Sequence, residues 1–105
     1  MKRVYISGAI THDPGYLKKF NKADRELTSM GYGVINPAKV CRPLPTDLRH
    51  EEYMQVCLSG LLPLADTIYM LNDWEESEGA REEKEIAEAI GIKVIYQEKK
   101  EDTEF

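Results

Sequence analysis

The sequence predicts a small doubly wound α/β domain, in which a four-stranded parallel sheet carries helices on both faces. Three observations predict it. Strand-like runs alternate with amphipathic helical stretches along the chain. The intervening segments have the length of right-handed crossovers, which join parallel strands. Finally, 105 residues with 42% hydrophobic and 31% charged side chains and a formal charge of −5 leave room for one soluble core.

The first strand is Arg3 to Ser7, rich in β-branched and aromatic types and stopped at Gly8. Asp13-Pro14 then predicts an N-cap followed by proline at the first helical position. Leu17, Phe20, Ala23, Leu27 and Met30 recur at helical spacing until Gly31. Tyr32 to Asn36 reads as the second strand, closed by Asn36-Pro37 because a residue before proline is pushed out of helical space. Pro37 to Pro45 contains three prolines and lacks periodicity, the mark of a loop long enough to wall or cover a site. A helix from about Asp47 to Pro63 follows, with Tyr53 or Met54, Cys57 or Leu58, and Leu61 on its inner face.

Thr67 to Leu71 is the third strand, and a polar loop with Asn72, Asp73 and Trp74 comes after it. Glu78 to Ile90 is helical and stopped by Gly91; Lys93 to Tyr96 is the fourth strand. Residues 1–97 therefore form one domain, and 98–105 a charged, frayed tail. The arrangement is flavodoxin- or Rossmann-like, with an expected strand order of 2-1-3-4. Ligands of such sheets bind at the carboxyl ends of the strands where the winding reverses, here between Ser7-Gly8 and Leu71-Asn72.

Composition excludes several functions. A pI near 5.0 argues against binding a nucleic-acid polymer, whose phosphates are neutralised by Lys and Arg. No apolar run approaches the roughly 20 residues that cross a bilayer, and the chain enters a strand at once instead of a signal peptide's apolar stretch, so a cytoplasmic protein without a membrane partner is expected. Cys41 and Cys57 lie outside any C-x-x-C pattern and read as buried reduced thiols. With His12 and His50 as the two histidines, read as surface or loop residues, neither a metal nor another cofactor is expected.

Among the acidic residues of the last helix, Glu78, Glu82, Glu85 and Glu88 read as a solvated face. Glu83 differs. At roughly 100° per residue, Gly79, Ala80, Ile86, Ala87 and Ile90 fall within about 60° of it, so it points into the apolar arc. A carboxylate so directed costs several kcal/mol unless it is paired, protonated or lining a cavity, which favours a functional role over a boundary residue that escapes to water. Ser77 stands at the N-cap, and Gly79 leaves the first-turn amides open to an anion. Ser7-Gly8 reaches the same crevice, although it lacks the dinucleotide-binding spacing. Trp74 beside the crevice could stack on a ring, and Tyr5, Tyr53 and Asn72 are candidate walls, with ordinary core placement the alternative for the aromatics. Asp66, before the third strand, reads as a turn or capping residue.

The runs Val4-Tyr5-Ile6-Ser7-Gly8, Ile35-Asn36-Pro37-Ala38, Tyr53-Met54, Ala65-Asp66 and Trp74 through Glu83 resemble the DUF4406 family of small bacterial and phage proteins of undefined function, over nearly the whole chain. That family is similar, more distantly, to nucleoside 2-deoxyribosyltransferases and 2-deoxynucleoside 5-phosphate N-hydrolases. The resemblance implies that Glu83 is a nucleophile at the anomeric carbon. It also implies that Ser77, six residues earlier, helps to hold phosphate as in the hydrolases, with Ser7 at a second phosphate-binding position. The related enzymes carry an aspartate on the preceding helix that assists with the base; here that position is Leu58, with Cys57 beside it.

Two functions are expected from these features. The first is a hydrolase or transferase that cleaves the N-glycosidic bond of a nucleoside 5-phosphate or related nucleotide. Glu83 would be the nucleophile, Ser7, Gly8, Ser77 and Gly79 would hold phosphate or sugar, and Tyr5, Tyr53, Asn72 and Trp74 would shape the base side. The second, favoured by the missing aspartate, is a noncatalytic module that senses or sequesters such a ligand. The partner in either case is a small-molecule nucleotide or nucleoside, and a homodimer or higher homo-oligomer is expected because four short strands leave the crevice open. Tyr53, Met54, Leu58, Leu61 and Leu62 give the second helix the apolar surface for it.

Overall fold

A computed structural model of the chain describes residues 2–10 and 13–98. His12, and the tail from residue 99 onward, lie outside the described residues. The elements run β1 (Arg3–Ser7), α1 (Tyr16–Ser29), β2 (Gly33–Ile35), α2 (Pro37–Val40), α3 (His50–Gln55), β3 (Thr67–Met70), α4 (Glu78–Ala89) and β4 (Lys93–Tyr96). All three strand pairings are parallel and the order is β2-β1-β3-β4, the expected topology.

Strand alternation divides the core between the two faces. Val4 and Ile6 point to one side, where Phe20, Ala23 and Leu27 of α1 bury them. Tyr5, Ile68 and Met70 point to the other, against Cys57, Leu62, Ala80 and Ala87. In this register Ser7 pairs with Met70 and follows Tyr5 onto the α4 face. Helices α1 and α4 both end in left-handed turns, at Gly31 (φ 94°) and Gly91 (φ 85°), a conformation a side chain would strain.

Several boundaries differ from expectation. Helix α1 starts at Tyr16, not Pro14, because Asp13 forms a local turn in which its carboxylate accepts from the Gly15 N–H at 2.9 Å. The segment after β2 is not wholly a loop: Pro37 opens one helical turn, α2, with its fixed φ suited to the first helical position. Buried Asn36 anchors that turn, its amide donating to Asn21 and Asp24 at 3.1 and 3.0 Å. The polar loop after β3 contains a 3-10 turn at Trp74–Glu76.

The largest departure is in the second long helix. It begins at His50, where the Glu52 carboxylate accepts from the Arg49 N–H at 2.9 Å, and after Gln55 widens into a π-helical segment, Val56–Leu61, followed by a 3-10 turn at Leu62–Leu64. Pro63 supplies no N–H to continue an α-helical ladder, and the Leu62 N–H bonds back to the Cys57 carbonyl, five residues earlier. The fully buried residues are consequently Cys57 and Leu62, with Leu61 only partly buried, against the expected inward Leu61. Of the five residues expected to give this helix its apolar surface, two are buried. Met54 and Leu62 are buried, and Tyr53, Leu58 and Leu61 pack against the chain's own core. The exposed apolar side chains here are Val56 and Leu64.

Candidate functional site

Helix α4 turns Ala80, Glu83 and Ala87 inward at positions i, i+3 and i+7. Its inner face is narrower than the sequence suggests, since Ile86 is half-exposed and Ile90 lies beyond the helix end. The alanines are small enough for α4 to settle on the sheet, which seats Glu83 directly over β1 with 5% of its surface exposed. There the Tyr5 hydroxyl donates to one carboxylate oxygen and the Ser7 hydroxyl to the other at 2.5 Å. Strand alternation supplies both donors, because residues two apart on β1 face the same side.

Burial pushes the Glu83 carboxyl from its ordinary 4.5 up to about 7, against the opposing pull of the Ser7 and Tyr5 hydrogen bonds. Burial, reinforced by the nearby Glu83 charge, raises Tyr5 well above the usual phenol range, so its hydroxyl remains a donor. Cys57 is buried on the same side of the sheet as Tyr5, and burial pushes its thiol up to about 12. Both cysteines are free and buried. The carboxylate is therefore surrounded by protonated donors.

Glu83 forms part of the wall of a cavity of about 260 Å³. Gly8 from the end of β1, Pro37 after β2, His50, Tyr53 and Met54 from α3, and Ser77 to Ala80 at the start of α4 complete much of it. A side chain at Gly8 is not tolerated, since a Cβ there would stand 2.7 Å from Leu71 Cδ1. Ser77 caps α4 by accepting from the Ala80 N–H at 3.1 Å. Gly79 keeps α3 close, where a Cβ would meet Met54 Sδ at 3.2 Å.

The structure thus brings Glu83, Tyr5, Ser7, Gly8, Tyr53, Ser77 and Gly79 together, but not all in the expected places. Ser7 and Tyr5 are fully buried beneath Glu83 and hold its oxygens; neither lines the cavity. Trp74 stands outside the cavity, with its ring 5.9 Å from that of Tyr96 and the Lys84 ammonium 5.4 Å from its centroid. Asn72 is exposed, and its N–H donates to Gln97. The cavity opens at the carboxyl ends of β1 and β2, beside α3 and the start of α4, rather than between the ends of β1 and β3. Asp66 behaves as a turn residue, its carboxylate accepting from the Arg3 N–H at 2.9 Å.

Two features escaped the sequence reading. His50 lines the cavity and approaches Glu82 at 3.3 Å; its position three residues before Tyr53 and four before Met54 puts it on their face once the helix start is known. Lys19 bridges Asp13 and Asp73, and Asp73 also accepts from the Ala9 N–H at 3.2 Å, tying the loop after β1 to the loop after β3. No periodic signal marks that contact between distant loops.

Comparison with solved structures agrees on the fold, a doubly wound parallel sheet. The chain is similar to a 2-deoxyribosyltransferase from the psychrotolerant bacterium Bacillus psychrosaccharolyticus, described as a biocatalyst for the synthesis of antiviral and antitumoral nucleosides. The TM-score is 0.68 at 19% identity, over 90% of this chain and 70% of that one. No curated protein matches the sequence. A family model, the domain of unknown function DUF4406, matches residues 2–96, and the protein belongs to that family. Among the described residues no helix is long and apolar enough to cross a membrane.

Proposed function

We propose that this protein cleaves or exchanges the N-glycosidic bond of a nucleoside 5-phosphate or related nucleotide in the cytoplasm, with Glu83 as nucleophile. The observation that carries this reading is that Glu83, unlike the exposed Glu76 and Glu78 of the same cavity wall, is buried and held through both oxygens by Tyr5 and Ser7. Structural likeness to a deoxyribosyltransferase supports the same chemistry. A Glu83 oxygen forms a bond to the anomeric carbon as the bond to the base nitrogen breaks. The electron pair leaves with the base, which takes a proton from water. Water, or a second base, then displaces Glu83 from the sugar. With Ser7 engaged by Glu83, the 5-phosphate falls to Ser77 and to the Glu78 and Gly79 amides, which open α4 without intrahelical partners, beside Gly8.

Incubation with a panel of 2-deoxynucleosides and their monophosphates, with free base followed by chromatography, tests this. Base release is expected, and faster from monophosphates than from nucleosides. No base from any member would overturn the reading in favour of a noncatalytic nucleotide-binding module. One observation favours that module: Leu58, where the related enzymes carry an aspartate, packs against the apolar core.

The proposal extends to assembly as a homodimer or larger homo-oligomer, supported by exposed Val56, Leu64, Ile86 and Ile90. Light scattering at micromolar concentration should give at least twice the 12.0 kDa of one chain. A mass of one chain would contradict it.

A further inference from the structure

A second cavity of about 440 Å³ adjoins the one over Glu83, and Ile10, His50 and Tyr53 belong to the walls of both. Its far side is the segment between α2 and α3, which contributes Arg42, Leu44, Pro45 and Leu48. The lining is mostly apolar and aromatic, with Tyr16 and Tyr53 among its walls, which suits a planar ring. Arg42 is the one permanently charged residue in that lining, and no carboxylate belongs to it. Among the described residues the Arg42 guanidinium enters no ion pair.

These facts bear on which base the site takes, given the glycosidic reading above, on which the inference rests. With the anomeric carbon at Glu83, the 5 side of the sugar and the base leave the ring in different directions. The start of α4 takes the 5 side within the first cavity, so the second compartment is left for the base. We propose that this compartment holds the base and that Arg42 selects 6-oxopurines by donating to O6 and N7. These two adjacent acceptors match the guanidinium fork. Adenine presents an amino donor in place of O6, which would meet the guanidinium N–H groups donor against donor.

The test compares 2-deoxyguanosine and 2-deoxyadenosine monophosphates, as the ratio of kcat/KM for base release and, separately, as the ratio of Kd by calorimetry. The wild-type protein should prefer the guanine compound by roughly ten- to a hundredfold. Arg42→Ala should bring the ratio close to one, and Arg42→Lys, which keeps the charge but loses the fork, should recover only a small part of it. Arg42 is exposed, so both variants are expected to fold. An unchanged ratio in Arg42→Ala, or no preference in the wild type, would overturn this assignment while leaving Glu83 as nucleophile intact. Binding that shows the Arg42-dependent preference without base release would support the base compartment and refute turnover. Binding of neither compound would overturn both.

Discussion

Glu83→Gln is expected to lower base release by roughly a thousandfold or more while ligand binding survives. Glutamine keeps the shape of the side chain and can still meet the Tyr5 and Ser7 hydroxyls, but its amide oxygen is a poor nucleophile. Glu82 and Glu85 provide the controls. Both are exposed on α4, and their conversion to glutamine should change the rate little. The wild-type rate should also fall as pH drops below about 7, by tenfold per unit, because the protonated Glu83 carboxyl cannot attack. Full activity in Glu83→Gln, or an equal loss in Glu82→Gln, would place the chemistry elsewhere.

The same substitution is expected to stabilise the fold, and the gain should depend on pH. Between pH 4.5 and about 7 the folded state holds a proton on Glu83 that the unfolded state has released, so the wild-type protein loses stability as pH rises through that window. Below it the carboxyl is neutral in both states and the difference vanishes. At pH 7 and above the cost of ionising the buried group amounts to about 3 kcal/mol. Removing it should raise the melting temperature by roughly 10 °C in a domain of this size. Thermal melts of both proteins at pH 4 and pH 8 check the sign, with a difference expected only at the higher pH. A destabilised Glu83→Gln at pH 8 would mean that the charge of Glu83 is compensated in the fold.

The difference between what the sequence predicts and what the structure adds follows from the range of the interactions involved. Strands such as Arg3–Ser7 and Lys93–Tyr96 and the glycine-stopped helices are set by local pattern, and their order follows from crossover handedness. Glu83 was legible because helical period alone turns it inward. Its partners were not, because donation from Tyr5 and Ser7 depends on the height at which α4 settles over β1, which the small Ala80 and Ala87 determine through packing. Trp74 was misplaced for a related reason. A polar segment after β3 says nothing of its 3-10 turn, which carries the ring toward Tyr96 and Lys84. The π-helical widening at Val56–Leu61 likewise defeats a 3.6-residue period and moves the inward position from Leu61 to Leu62.

Whether Glu83 becomes covalently attached to the sugar tests the account most directly. The measurement is intact-protein and peptide mass spectrometry after incubation with a 2-deoxy-2-fluoronucleoside monophosphate, whose electron-withdrawing substituent slows breakdown of a glycosyl ester. The account predicts a mass increase equal to the glycosyl phosphate, mapped to the peptide carrying Glu83 and absent from Glu83→Gln. Base release from the wild-type protein with no adduct, or an adduct on another residue, would contradict it.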